Sequence, residues 1–119
     1  MGYCTEYCLS VKNVKSGEEF KLLADILKER DLILYAFDRG EYLASAQMAK
    51  FFPYESVKWY SYEYDMTEIS KLPEFSEMVF ELYGVGEDPT DQWKTYYKNG
   101  KSEECPADII FPKPKTIRW

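Results

Sequence analysis

Two groups of side chains in this sequence are of types that do chemistry. Carboxylates gather toward its end: Glu87, Asp88 and Asp91 fall close together, and Glu103 and Glu104 follow beyond the pair Asn99-Gly100. Phenols form the other group, with Tyr60 and Tyr62 in "VKWYSYEYDM" and Tyr83 in "VFELYGVG". Clustered carboxylates can hold a divalent cation, but their spacing here is not that of an EF-hand loop, and no metal is expected. The sharper reading is an acidic patch, across the far end of a hairpin, offered to Lys and Arg on a partner protein. Tyrosines on an open sheet can stack a base, as in RNA-binding sheets, or can cover a half-exposed face and meet a protein. Lys58 is the one cation among the outward positions expected beside them and Glu81 lies next to Tyr83, so the covering role is preferred and direct nucleic-acid binding is not expected.

The sequence contains no histidine, which removes Ser-His-Asp and Cys-His mechanisms and leaves zinc an incomplete thiolate set. Cys4, Cys8 and Cys105 are read as reduced thiols, Cys4 and Cys8 being small half-buried residues on one side of a strand. "GVGED", residues 84–88, lacks the Lys-Ser/Thr of a phosphate loop and places carboxylates where an anion would sit, so it reads as a strand-ending turn. A glycosidase carboxylate pair needs a cleft that so small a domain does not advertise. No catalytic constellation and no cofactor are expected.

With 119 residues, 45% of them hydrophobic, the chain is sized for one globular domain, residues 1–104, followed by an extended Pro-rich tail, residues 105–119. Its net charge of -6 is uneven. The tail carries Lys113, Lys115 and Arg118 against Asp108, which leaves residues 1–104 with 12 basic and 20 acidic groups, a balance of -8. A body of that sign repels phosphate and suits a basic partner. No apolar run approaches the roughly 18 residues of a membrane span, and the N-terminus lacks a signal pattern, so a cytoplasmic location is expected.

The elements that must position these residues follow from periodicity. Residues 3–11 alternate as a half-buried strand, with Tyr3, Thr5, Tyr7, Leu9 and Val11 on one side. Ser16 and Glu19 have capping-box spacing, and Phe20, Leu23, Ala24, Ile26 and Leu27 make an apolar helical face through about Arg30. Leu32 to Phe37 reads as a second strand ending at the turn Asp38-Arg39-Gly40, and residues 41–50 as a short helix closed by Pro53. Val57, Trp59 and Ser61 against Lys58, Tyr60 and Tyr62 give a third strand. Asp65, three residues before Glu68, is then the N-cap of a second helix bounded by Pro73. Residues 77–86 supply another strand, broken by Gly84 and Gly86, and Asn99-Gly100 closes a hairpin through a type I′ turn. The order is that of a split βαβ, so an α+β fold is expected: a ferredoxin-like βαββαβ sandwich with an inserted short helix and an added C-terminal β-hairpin, one sheet face covered by helices.

Residues 57–101 carry "VKWY", "DMTEISKLPEF", "VFELYGVGED" and "DQWKTYYKNGK". This succession resembles a ferredoxin-like module of small proteins of bacteriophages and mobile elements. The resemblance implies no catalytic residues. It implies an association with anti-CRISPR and other anti-defence inhibitors, which are often acidic and act by covering a surface of a host protein in the host cytosol. The expected function is therefore a non-enzymatic inhibitor that binds a host protein through the acidic patch. Two alternatives stand beside it: a small-ligand or nucleotide-binding sponge or sensor using the aromatic sheet face, and a homo-oligomeric structural protein.

Overall fold

A computed structural model of the chain describes residues 4–30, 36–53, 55–87 and 90–105. The alternating N-terminal segment becomes strand β1 (Glu6–Lys12), with Tyr7, Leu9 and Val11 buried and Cys8 and Ser10 half-buried on the other side. Ser16 caps helix α1 (Gly17–Glu29) as its spacing predicts. Its hydroxyl accepts from the Glu19 N–H at 3.2 Å, while the Glu19 carboxylate reaches back to the Lys15 N–H at 2.8 Å. Donors that a first helical turn leaves unpaired are thereby satisfied. The helix is fixed with Leu23 and Leu27 inward and Phe20, Ala24 and Ile26 packed beside them.

The next segment differs from expectation. Residues 41–50 form no α-helix; strands β2 (Phe37–Leu43) and β3 (Met48–Pro53) are joined by a single turn of 3-10 helix at Ala44–Ala46 and by Gln47 at φ 51. Alanines, Gln47 and Met48 favour a helix locally, but β3 pairs with β1 and turns Ala49 and Phe51 into the core, and that tertiary gain decides the conformation. Asp38-Arg39-Gly40 lies inside β2, where the register shifts between Phe37 and Arg39, and is not a strand-ending turn. Of the strand expected over Leu32–Phe37, residues 32–35 lie outside the described residues.

The stretch 57–62 is not a strand either. Thr5 and Val57 exchange one pair of backbone hydrogen bonds, 2.9 and 3.0 Å, and the chain then turns at residues 60–61 into helix α2 (Tyr62–Ser70). Asp65 is no N-cap: it sits within the helix, and its carboxylate accepts from the Trp59 indole N–H at 2.7 Å and the Ser61 hydroxyl at 3.0 Å. A buried tryptophan needs an acceptor for its N–H. Asp65 supplies it, and so ties the turn to the helix. The helix ends before Pro73, as expected, and a short 3-10 turn (Pro73–Phe75) follows.

Strands β4 (Val79–Val85), β5 (Gln92–Lys98) and β6 (Lys101–Cys105) complete the sheet. The two-residue turn between the last two has Asn99 at φ 52 and Gly100 at φ 81, the positive pair that a type I′ hairpin requires. Gly84 does not break β4; it lies inside the strand, where a Cβ would run into the Trp93 indole. Gly84→Ala is expected to cost about 1–3 kcal/mol as an overpacked contact. Urea unfolding of the variant checks this, and an unchanged midpoint would mean that Trp93 does not press on Gly84.

Among the described residues six strands, each antiparallel to its neighbours, run in the order β2-β3-β1-β4-β5-β6 and combine with helices α1 and α2 in a mixed α+β fold. Leu23, Leu27, Trp59, Phe80 and Leu82 share one core. Both helices pack on the face that carries Tyr7, Leu9 and Val11; among the described residues no helix lies on the other. No helix among them is long and apolar enough to cross a membrane. The tail expected over 105–119 lies outside the described residues beyond Cys105.

Candidate functional site: the open face of the sheet

Because strand side chains alternate, the register of the sheet determines which residues share its open face. On β1 these are the small residues Cys8 and Ser10, with Glu6 before them and Lys12 after. On the strands to either side they are larger: Lys50 and Phe52 on β3, Tyr83 and Val85 on β4, with Gln92 beyond on β5. Small residues between large ones make a trough along β1, with a volume of about 300 Å³. Its walls belong to strands roughly 10 Å apart, two inter-strand spacings. Each wall has a ring with a cation against it: the Arg39 guanidinium lies 4.7 Å from the Phe52 ring centre, and the Lys94 ammonium 5.0 Å from that of Tyr83.

Beyond Ser10 stands a charged group at near-complete burial. The Glu81 side chain is 5% exposed and accepts from Lys12 at 2.8 Å and from the Tyr83 hydroxyl at 3.2 Å, with Lys94 at 3.9 Å. The hydrogen bond to Glu81 raises the Lys12 ammonium above its usual range. Burial pulls Lys94 down, but its bonds and charge interactions with Tyr96 and Tyr83 outweigh this and hold it above the ordinary lysine value. Burial, with Glu81 beside it, raises the Tyr83 phenol. One buried carboxylate thus faces two ammonium groups.

Charge on this face runs opposite to that of the whole molecule. Among the described side chains its strand positions carry Lys12, Arg39, Lys50, Lys94, Lys98 and Lys101 against Glu6, Glu41, Glu81 and Glu103, an excess of two positive charges. The other residues of 1–104 then hold a balance of -10, and helices α1 and α2 contribute Glu18, Glu19, Asp25, Glu29, Glu63, Asp65 and Glu68 to it.

The expected aromatic face divides. Tyr83 belongs to it. Tyr60 is 72% exposed in the turn before α2, and Tyr62 stacks on Trp93 at 4.8 Å against the core. They are separated because 57–62 is a turn and a helix start, where strand alternation does not apply. Phe52, Tyr96, Lys12, Lys50 and Lys94 are the face residues missed; the alternations in "MAKFFP" and "QWKTYYK" carried the signal. The acidic group also divides. Glu87 and Asp91 are exposed at the β4–β5 connection, where Glu87 accepts from the Cys4 N–H at 3.0 Å. Glu103 pairs opposite Tyr96, about 13 Å along β5 from Gln92 at ~3.3 Å per residue. Asp88 and the Glu104 side chain lie outside the described residues. No group of three or more metal-ligating side chains occurs among the described residues.

Cys4 and Cys8 are free thiols, and burial raises Cys8, an effect that Glu6 reinforces and Lys50 opposes. A raised thiol is a weak nucleophile at neutral pH, so Cys8 acts in the trough as a small floor residue. Beneath the sheet, burial pushes the Tyr7 phenol up to about 12 from 10.0. Between those values the unfolded chain releases a proton that the native state keeps, so stability falls as pH rises. The expected loss across that window is about 2–3 kcal/mol. Urea midpoints followed from pH 9 upward check this, and Tyr7→Phe should flatten the slope.

No family model, curated protein or solved structure matches the chain.

Proposed function

We propose that this chain is a non-enzymatic binding domain that recognises an anionic partner through the open face of its sheet. The observation that carries the proposal is charge segregation: a ring-lined trough set in a sheet face with an excess of positive charge, on a molecule whose overall balance is acidic. Electrostatic complementarity of that kind steers a partner to one face and repels it from the others. The first six elements are read as a ferredoxin-like sandwich. Supporting this, β1 lies between β3 and β4, with a helix in each crossover. Pairing of two copies through this face is disfavoured, since it would bring like charges together.

A second reading is favoured by the exposed Glu87 and Asp91 and the acidic helical side. In it the chain is an inhibitor encoded by a phage or mobile element, of the anti-CRISPR or anti-defence kind, that covers a basic surface of a host protein. Affinity capture from host lysate separates the two. Lys50→Glu should abolish capture under the open-face reading, while Glu87→Lys with Asp91→Lys leaves it intact; the opposite pattern would transfer the function to the acidic surface.

A further inference from the structure

The trough has features that narrow the class of anion. Resting on the open-face reading above, we infer that it takes a phosphorylated heteroaromatic ligand, a nucleotide either free or within a single strand. Three observations converge on this chemistry. The floor at Cys8 and Ser10 is low and flat while Phe52 and Tyr83 rise on either side, leaving a slot for a planar ring. Both wall rings have a cation against them, Arg39 at Phe52 and Lys94 at Tyr83. A cation on one face of a ring draws electron density from the other, which then suits an electron-rich base. Lys50 lines the trough opposite Ser10, and beyond Ser10 the Lys12–Glu81–Lys94 group carries one positive charge in excess; the one carboxylate of the lining, Glu6, lies at the other end beside Val85, so the cationic end is the one at Lys50. An ammonium beside a stacking slot places the phosphate of a nucleotide where its base can lie between the rings.

Whole-chain charge argues against such a ligand, but steering acts on the potential at the face met first. A simple inorganic anion would use the lysines and ignore the rings. An acidic protein surface would use the lysines across the whole sheet and depend little on the slot.

The test is a set of titrations of the full chain at low salt, with a labelled mixed-sequence single-stranded octanucleotide, with AMP, with inorganic triphosphate and with poly-glutamate. The proposal expects binding of the octanucleotide or of AMP. Phe52→Ala should weaken it by roughly 5- to 100-fold, the range for loss of a stacking ring. Lys50→Glu should weaken it and reduce its salt dependence, and Glu74→Lys on the helical side should leave it unchanged. Tight binding by the octanucleotide alone identifies the source as nucleic acid, and comparable binding by AMP a free nucleotide; both support the inference. Triphosphate binding as tightly, with Phe52→Ala silent, overturns the heteroaromatic ligand but leaves the anionic face standing. Poly-glutamate binding as tightly, with Phe52→Ala silent, overturns it in favour of an acidic protein. If none of the four binds, the open-face reading falls with it. Thermal melts of each variant separate lost binding from lost folding, and should Phe52→Ala unfold, Phe52→Leu, which keeps an apolar side chain but has no ring to stack, decides the matter in its place.

Discussion

Trp59→Ala is expected to destabilise the protein by about 3–5 kcal/mol, the range for removing a large buried aromatic side chain. Trp59 is 2% exposed and meets Tyr7 at 5.0 Å and Phe37 at 6.1 Å, both edge to face. Its indole N–H donates to Asp65 and its carbonyl accepts from the Tyr7 hydroxyl at 3.3 Å. Truncation opens a cavity among rings that cannot collapse together, because each is tied to a separate element. It also deprives Asp65 of a donor at the start of α2, leaving Ser61 and, at 3.8 Å, Arg30. Trp59→Phe retains most of the volume and loses the hydrogen bond, so it should fall well short of the alanine cost. Urea unfolding of the two variants checks both terms. A near-neutral Trp59→Ala would mean that the segment before α2 is not anchored in the core.

The same residue explains what was readable from sequence and what was not. In "VKWYSYEYDM" the aromatic residues alternate well enough to imitate a strand, yet Trp59 is the one aromatic of the stretch that is fully buried, while Tyr60 turns to solvent and Tyr62 begins a helix. Alternation is a local signal, and a single deeply buried anchor has no period. Helix α1 was legible because cap, face and length lie within one window of residues, and the Asn99-Gly100 hairpin because two residues specify its turn. Strands β2 and β3 were hidden because β3 is held as a strand by β1, far away in sequence, and β2 in turn by β3. Residues 41–50 have a helical composition overruled by that distant partner.

Charge was misleading in another way. A balance taken along the chain cannot register that pleating sends Lys12, Lys50 and Lys94 to one side while the helices and connections hold most of the acid. Once the register is known, the count per face follows from parity alone. Lys58, expected as the outward cation beside the tyrosines, precedes the turn and has no place on that face. The candidate site was therefore written in the sequence as alternation within β3 and β5, but reading it required knowing which segments were strands.

Glu81→Leu should be the other costly substitution, at about 2–4 kcal/mol. Removing one partner of a fully buried ion pair costs about 3–5 kcal/mol, because the other charge stays behind without compensation. Here the penalty is smaller, since the Lys12 side chain is 52% exposed and can return to water, whereas Lys94 at 16% cannot readily do so. The charge left in the sheet face is then the Lys94 ammonium, held by Tyr83 and Tyr96 at 5.0 Å from each ring centre. Pairing Glu81→Leu with Lys94→Met should recover much of the loss, because a well-packed apolar pair in place of a buried ion pair is close to neutral. Urea midpoints of the two single variants and the double give the coupling directly. Additive losses would show that Glu81 and Lys94 do not compensate one another. The carboxylate also limits the positive potential of the open face, so Glu81→Gln, which keeps shape and hydrogen bonding, should tighten an anionic ligand while weakening the fold. If the buried carboxylate is there only for stability, Glu81→Gln will lower the urea midpoint and leave anion affinity where it was; a gain in affinity alongside the loss identifies Glu81 as the group that sets how strongly the face attracts its partner.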